Sequence, residues 1–244
     1  MPPAIWMSIT SLLSAGMADH SARPLDVDAV LFDLDGTLAD TAGDLAGAVN
    51  RVRKDRGLVP VPVASVRAYA SSGARGLLFS GMGVTPEDPE FPTLRDAFLL
   101  HYERCLAETT QLFAGVAKLL DTIESRGLAW GIVTNKASRF TNAVVAALKL
   151  DTRAGTVVSG DTTPHPKPHP EPLLHAARAL HIAPSRCVYV GDDLRDVQAG
   201  IAAGMPTLVA RWGYIGTGEP HETWPATGGA DRPLDLLDWL PVRN

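Results

Sequence analysis

Asp33 and Asp35 are separated only by Leu34, and they follow the apolar run Ala29 to Phe32. Side chains two apart on a strand point the same way. The two carboxylates can therefore converge just past the strand's carboxyl end, where open α/β sheets place their ligands. Two like charges that close are costly unless a cation neutralises them. A hard divalent ion with oxygen ligands meets that need, so Mg²⁺ is the expected cofactor. Three further loops carry residues suited to the same task. Thr134 and Asn135 end the run Leu128 to Val133. Lys167 lies in the proline-rich loop Thr163 to Pro170. Asp192, Asp193 and Asp196 follow the run Cys187 to Val190. Together they describe a carboxylate-held metal, an anion held by Lys167 and Thr134, and a carboxylate free to attack. Each also has a plainer reading. Thr134-Asn135 or Asp192-Asp193 would serve as helix caps. His165 and His169 read as flanks of a stiff loop rather than ligands.

The elements that must position these residues alternate. Apolar runs at Ala29 to Phe32, Leu128 to Val133, Thr156 to Ser159, Cys187 to Val190 and Pro206 to Ala210 suit strands buried on both faces. Helical spacing lies between them, over Val116 to Arg126, Ser138 to Leu150, Glu171 to His181 and Leu194 to Ala203. Strand–helix alternation predicts an α/β fold with a Rossmann-like parallel sheet and right-handed crossovers. All four chemical loops then leave the same sheet edge. From Thr41 to about Gln111 no buried strand is evident, and helical segments are expected at Val63 to Tyr69, Leu77 to Met82 and Leu94 to Glu108. The domain expectation is a core over 27–40 and 112–244 with an inserted α-helical cap over 41–111. The Gly- and Pro-rich stretch from Thr217 to Gly229 reads as a surface loop.

The chain has 244 residues, 45% of them hydrophobic, and a formal net charge of −5. That is enough for one large domain or a core with an insertion. Without a long basic run, nucleic acid is not an expected partner. Two cysteines, Cys105 and Cys187, lie far apart without metal-type spacing, which fits a reducing, cytoplasmic compartment. The mildly apolar stretch Ala4 to Met17 has no Lys or Arg before Arg23, so it lacks a signal peptide's basic start. It is also too short to span a bilayer, and no membrane partner is expected. Residues 1–26 are expected to form a disordered leader outside the fold, with Met7 or Met17 as alternative starts.

Four motifs in this order resemble the haloacid dehalogenase superfamily, in its phosphatase branch with a helical cap. They are Asp33-Leu34-Asp35-Gly36-Thr37, Val133-Thr134-Asn135, Lys167-Pro168, and Gly191-Asp192-Asp193-Leu194-Arg195-Asp196. More narrowly, Thr134-Asn135-Lys136, Lys167 to Pro172 and Val188 to Asp192 are similar to the phosphoglycolate phosphatase family. The resemblance implies that Asp33 attacks phosphorus and that Asp35 handles the leaving-group and water protons. Mg²⁺ would sit among the Asp33 carboxylate, the Asp35 backbone carbonyl and Asp192. Thr37, Thr134, the Asn135 amide and Lys167 would hold the phosphate, with Asp193 or Asp196 in support.

The cap is expected to select the substrate. Ser71-Ser72-Gly73-Ala74 offers backbone amides at a helix start, and Arg75 offers a bidentate donor for a carboxylate. A small carboxylated phosphate such as 2-phosphoglycolate is the expected substrate. The Ser71 to Arg75 segment, Leu94 to Glu108, Arg195 and Arg211 to Ile215 also resemble N-acetylmuramic acid 6-phosphate phosphatases. A sugar phosphomutase would use the same core and return the phosphoryl group to substrate. Oligomeric state has no signature in the sequence.

Overall fold

The computed structural model describes residues 24–242. The chain opens with β1 (Ala29–Phe32) and β2 (Ala39–Asp40). It then builds four cap helices, α1 (Ala42–Asp55), α2 (Val63–Arg67), α3 (Gly73–Met82) and α4 (Phe91–Glu103). It returns through β3 (Gln111–Leu112), α5 (Val116–Ser125), β4 (Ala129–Val133) and α6 (Ser138–Ala147). There follow β5 (Val157–Val158), α7 (Glu171–Ala179), β6 (Cys187–Gly191) and α8 (Leu194–Ala202). The last strands are β7 (Thr207–Ala210) and β8 (Gly228–Ala230).

Six strands form one parallel sheet in the order β5-β4-β1-β6-β7-β8. Phe32 of β1 is level with Ile132 of β4 on one side and Val190 of β6 on the other. The chain first extends the sheet outward through β4 and β5, then crosses back to the far side of β1. That reversal opens a crevice at the carboxyl end of β1. Side chains of β1 alternate between two cores. Val30 and Phe32 pack with Leu119, Leu120 and Ile123 of α5, whereas Ala29 and Leu31 pack with Leu173 and Ala176 of α7 and Ala199 of α8.

The cap has its own core, with Leu45, Val49 and Val52 of α1 against Leu77, Leu78, Leu94 and Phe98. Phe140 and Tyr214 from the sheet domain join that cluster, so cap and core share an apolar seam. Lys54 and Arg53 in the last turn of α1 complement its dipole. The way in and the way out of the cap are paired antiparallel, Ala39 with Leu112 and Asp40 with Gln111. Buried Asp44 clamps the junction. It accepts hydrogen bonds from the amides and hydroxyls of both Thr109 and Thr110, at 2.5–3.2 Å.

Several expected boundaries move. α4 starts three residues earlier than the spacing suggests, because Pro92 in its first turn favours helix. It stops at Glu103 instead of running to Glu108. α3 starts at Gly73 rather than Leu77. The stretch read as a loop to Gly229 supplies the edge strand β8. The expected leader lies outside the described residues up to residue 23. Leu25 N–H donates to Trp239 O at 2.8 Å and Asp26 pairs with Arg186, so the chain joins the core two residues before the expected start at 27. Cys105 and Cys187 are free and buried. Among the described residues no helix is long and apolar enough to cross a membrane.

Candidate active site

Asp33 emerges from β1 into the crevice and is 7% exposed. Lys167 Nζ lies 2.9 Å from Asp33 Oδ1 and 2.7 Å from Asp196 Oδ1. An ammonium has three protons. Those of Lys167 go to Val133 O at 3.0 Å, Tyr189 Oη at 2.7 Å and Asp196 Oδ1. Asp33 Oδ1 is therefore buried beside a positive charge yet accepts no hydrogen bond. Burial pushes the Asp33 carboxyl up to about 6; Lys167 pulls against that, and Asp196 and Asp35 add repulsion. Burial, reinforced by Asp33 and Asp196, drives Asp192 well above the usual carboxylate range.

Asp33, Asp192 and Asp196 each offer a carboxylate oxygen within 4.8 Å of the others. Three buried carboxylates face one lysine, and one oxygen lacks a donor. That donor set and that charge deficit fit a hard divalent cation. Asp192 is held in place from both sides. Its Oδ1 accepts from Thr37 Oγ1 at 2.8 Å and its Oδ2 from Tyr214 N at 2.9 Å. A Cβ on Gly36 or Gly213 would collide with the Asp192 side chain, so glycine at both positions lets two backbones close around it. Thr37, expected on the substrate, thus orients a carboxylate instead. Asp35 does not join the carboxylate cluster. Lys136 Nζ pairs with both of its oxygens at 2.8 and 2.9 Å, and Thr41 Oγ1 donates to Oδ1 at 2.5 Å. Burial works against the Lys136 charge, but Asp35 and Tyr102 outweigh it and raise the lysine's pKa.

Thr134 is buried at the carboxyl end of β4. The Asn135 side chain bridges to the lysine loop, donating to Lys167 O at 2.8 Å and accepting from Lys167 N at 2.9 Å. It fixes the backbone from which Lys167 reaches inward. The two supporting aspartates have different tasks. Asp196 anchors the Lys167 ammonium. Asp193 caps α8 through Arg195 N and pairs with the Arg195 guanidinium, which also donates to Ser71 O in the cap at 2.5 Å.

Above these groups lies a cavity of about 350 Å³. Asp33, Asp35, Thr134 and Lys167 form its floor, and Ala74, Leu77, Phe98 and Leu99 supply an apolar roof. Arg75 does not line it. With α3 starting at Gly73, Gly76, Leu77 and Leu78 face inward and Arg75 is exposed. The arginines on the cavity wall are Arg139 and Arg195. The sequence assigns no chemical role to Lys136, Thr41, Tyr214 or Arg139, although Lys136 and Tyr214 lie in stretches that carry the family resemblance. Lys136 carried a signal, a cation directly after Thr134-Asn135 at a strand end. Tyr214 meets Thr41 across 173 residues, a contact that no local pattern predicts.

Comparison with known proteins agrees with this architecture. The model of the haloacid dehalogenase-like hydrolases matches residues 30–210. The chain belongs to that family. An N-acetylmuramic acid 6-phosphate phosphatase of Pseudomonas aeruginosa is 41% identical over 218 residues, covering 89% of this chain and 96% of the relative. A phosphoglycolate phosphatase of Xanthomonas campestris pv. campestris is also 41% identical over 218 residues, covering 88% and 96%. A crystal structure of a predicted phosphoglycolate phosphatase from Haemophilus somnus 129pt superposes with a TM-score of 0.76 at 24% identity, over 91% of this chain and 98% of that one. The chain is thus an enzyme of the phosphatase branch of this hydrolase family.

Proposed function

We propose that this enzyme hydrolyses a phosphomonoester whose body is larger than that of 2-phosphoglycolate and carries a carboxylate, as N-acetylmuramic acid 6-phosphate does. The observation that carries this reading is the cavity: about 350 Å³ under an apolar roof, within the range that encloses a mid-sized ligand. A two-carbon acid would leave most of it unfilled. An acetamido sugar would lay its apolar ring face and methyl group against Leu77, Phe98 and Leu99.

In this reading Asp33 attacks phosphorus and forms a phosphoaspartyl bond as the ester oxygen leaves. Thr134, the Asn135 amide and Lys167 hold the phosphoryl oxygens while charge develops on them. Asp35 passes a proton to the leaving oxygen, then accepts one from the water that cleaves the intermediate. Substrate bound as its monoprotonated phosphate brings in the first of those protons. Asp33 and Asp192, with the Asp35 backbone carbonyl, would hold Mg²⁺, which when bound offsets repulsion between the Asp33 carboxylate and the anionic phosphate. Asp196 keeps Lys167 aimed at the floor. Arg139 takes the substrate carboxylate: its guanidinium lies 4.4 Å from the Phe140 ring centroid at the cavity wall, and among the described residues no carboxylate forms an ion pair with it.

The test compares kcat/KM in Mg²⁺ for N-acetylmuramic acid 6-phosphate, N-acetylglucosamine 6-phosphate and 2-phosphoglycolate. The carboxylated sugar should lead, and Arg139→Gln should cost it about ten-fold while leaving N-acetylglucosamine 6-phosphate within about two-fold. A lead for 2-phosphoglycolate, the substrate named for several relatives, would overturn the size reading. Return of the phosphoryl group to a sugar without release of inorganic phosphate would make the enzyme a mutase.

A further inference from the structure

Helix α1 begins at the cap hinge without a side-chain cap of its own. Thr41 occupies the capping position, where a threonine hydroxyl ordinarily accepts from the second or third helical amide, here Gly43 N or Asp44 N. Here that hydroxyl is turned away and donates to Asp35 Oδ1 at 2.5 Å. The two amides before those, Thr41 N and Ala42 N, are held across the hinge, and Ala42 N also lies 3.4 Å from Asp40 Oδ1. Tyr214, in the loop after β7, brings its Oη to 2.8 Å from Thr41 N and 3.0 Å from Ala42 N. The same hydroxyl donates to Asp40 Oδ1 at 3.1 Å. Asp40 in turn receives two hydrogen bonds from Arg67 of cap helix α2, at 2.9 and 3.0 Å, and that guanidinium lies 5.0 Å from the Tyr214 ring centroid. The Tyr214 amide holds Asp192.

We infer that Tyr214 is a positioning residue for proton transfer: by holding the Thr41 and Ala42 amides, it fixes the backbone from which the Thr41 hydroxyl orients Asp35. A buried amide left without an acceptor is costly, so loss of the Tyr214 hydroxyl lets the first turn of α1 shift toward another acceptor and carries Thr41 Oγ1 out of line with Asp35. Arg67 fixes the tyrosine from the cap side, so Asp35 is fully oriented only with the cap seated. The inference rests on Asp35 being the proton donor proposed above.

The experiment compares kcat/KM for phenyl phosphate and 4-nitrophenyl phosphate, which have nearly the same shape. This ratio reports steps up to departure of the phenol, and only the more basic leaving group needs a proton. Tyr214→Phe keeps the ring over which Arg67 lies. It should lower kcat/KM about ten-fold for phenyl phosphate and about two-fold or less for 4-nitrophenyl phosphate. Thr41→Val should show the same selectivity, Thr41→Ser should restore it, and Tyr214→Phe with Thr41→Val should lose no more than either alone. Equal losses on both esters, or selective losses that add, would overturn the inference. Should Tyr214→Phe fail to fold, equal losses on both esters in Thr41→Val would overturn it, and selective loss there with recovery in Thr41→Ser would support it. Asp35→Asn is the reference. If it slows both esters equally, the assignment of Asp35 as proton donor has failed, independently of Tyr214.

Discussion

Replacing Lys167 with methionine keeps most of the apolar stem and removes the charge. The side chain is 3% exposed, and its ammonium faces Asp33 at 2.9 Å and Asp196 at 2.7 Å. Breaking a buried pair by deleting one partner costs about 3–5 kcal/mol, because the other charge is left uncompensated. For a chain of this length that is a fall in Tm of roughly 6–20 °C. The cost depends on pH, and its sign follows from Asp33. The folded carboxyl sits at about 6 against an ordinary 3.8. Between those values the folded state holds a proton that the unfolded chain has released. The wild type is therefore favoured below that window and loses up to about 3 kcal/mol as pH rises through it. Without Lys167 the window widens upward, since the one group that lowers the Asp33 pKa is gone. At pH 5 Asp33 is protonated in both proteins, so the variant leaves Asp196 alone uncompensated there and its deficit is smaller than at pH 8. Urea denaturation in EDTA at pH 5 and pH 8 measures both differences. A deficit that is equal at the two pH values, or below about 1 kcal/mol at pH 8, would refute the account of Lys167 as counter-charge to the cluster.

Mg²⁺ at about a hundred times its Kd should stabilise the wild type by about 2.7 kcal/mol, and Asp192→Asn should lose most of that shift in a thermal melt; an unchanged shift would remove Asp192 from the metal site. Asp33→Asn should abolish aryl phosphate turnover yet melt at or above the wild type in EDTA at pH 8, because it deletes a buried charge that already lacks one hydrogen bond. Asp44→Ala removes four acceptor contacts at the hinge and should cost about 2–4 kcal/mol. Faster hydrogen exchange at Thr109 and Thr110 would accompany that loss, and unchanged exchange there would count against a clamp.

The parts legible in the sequence were those written in short runs. β1, β4 and β6 are almost wholly apolar runs, and three of the four chemical motifs sit at their carboxyl ends, whereas Lys167 lies in the loop that follows the two-residue β5. β8 escaped because Gly228-Gly229-Ala230 has no side-chain pattern to read. Arg75 was misplaced by helix phase: starting α3 at Gly73 instead of Leu77 turned its guanidinium outward. Asp193 and Asp196 could not be ranked, since one caps α8 and the other lies in its first turn, and only the position of Lys167 separates their tasks. Tyr214, Thr41 and Asp40 form a contact between the two ends of the chain, and no local pattern announces such a contact.

The paired strands β2 and β3 carry a consequence for how this enzyme can vary. They bring the cap's entry and exit side by side, and Asp44 ties them together. The insertion is thus a closed loop hung from a single attachment, with its own apolar centre. Exchanging it for another helical insertion changes neither the sheet's register nor the spacing of its four chemical loops, and the closure entropy of a longer or shorter replacement varies only weakly with length. Nucleophile, lysine and carboxylates belong to one module and the substrate-facing roof to the other. Arg67, through Asp40 and Tyr214, Ser71, through Arg195, and the apolar seam at Phe140 and Tyr214 must be matched for a new roof to seat.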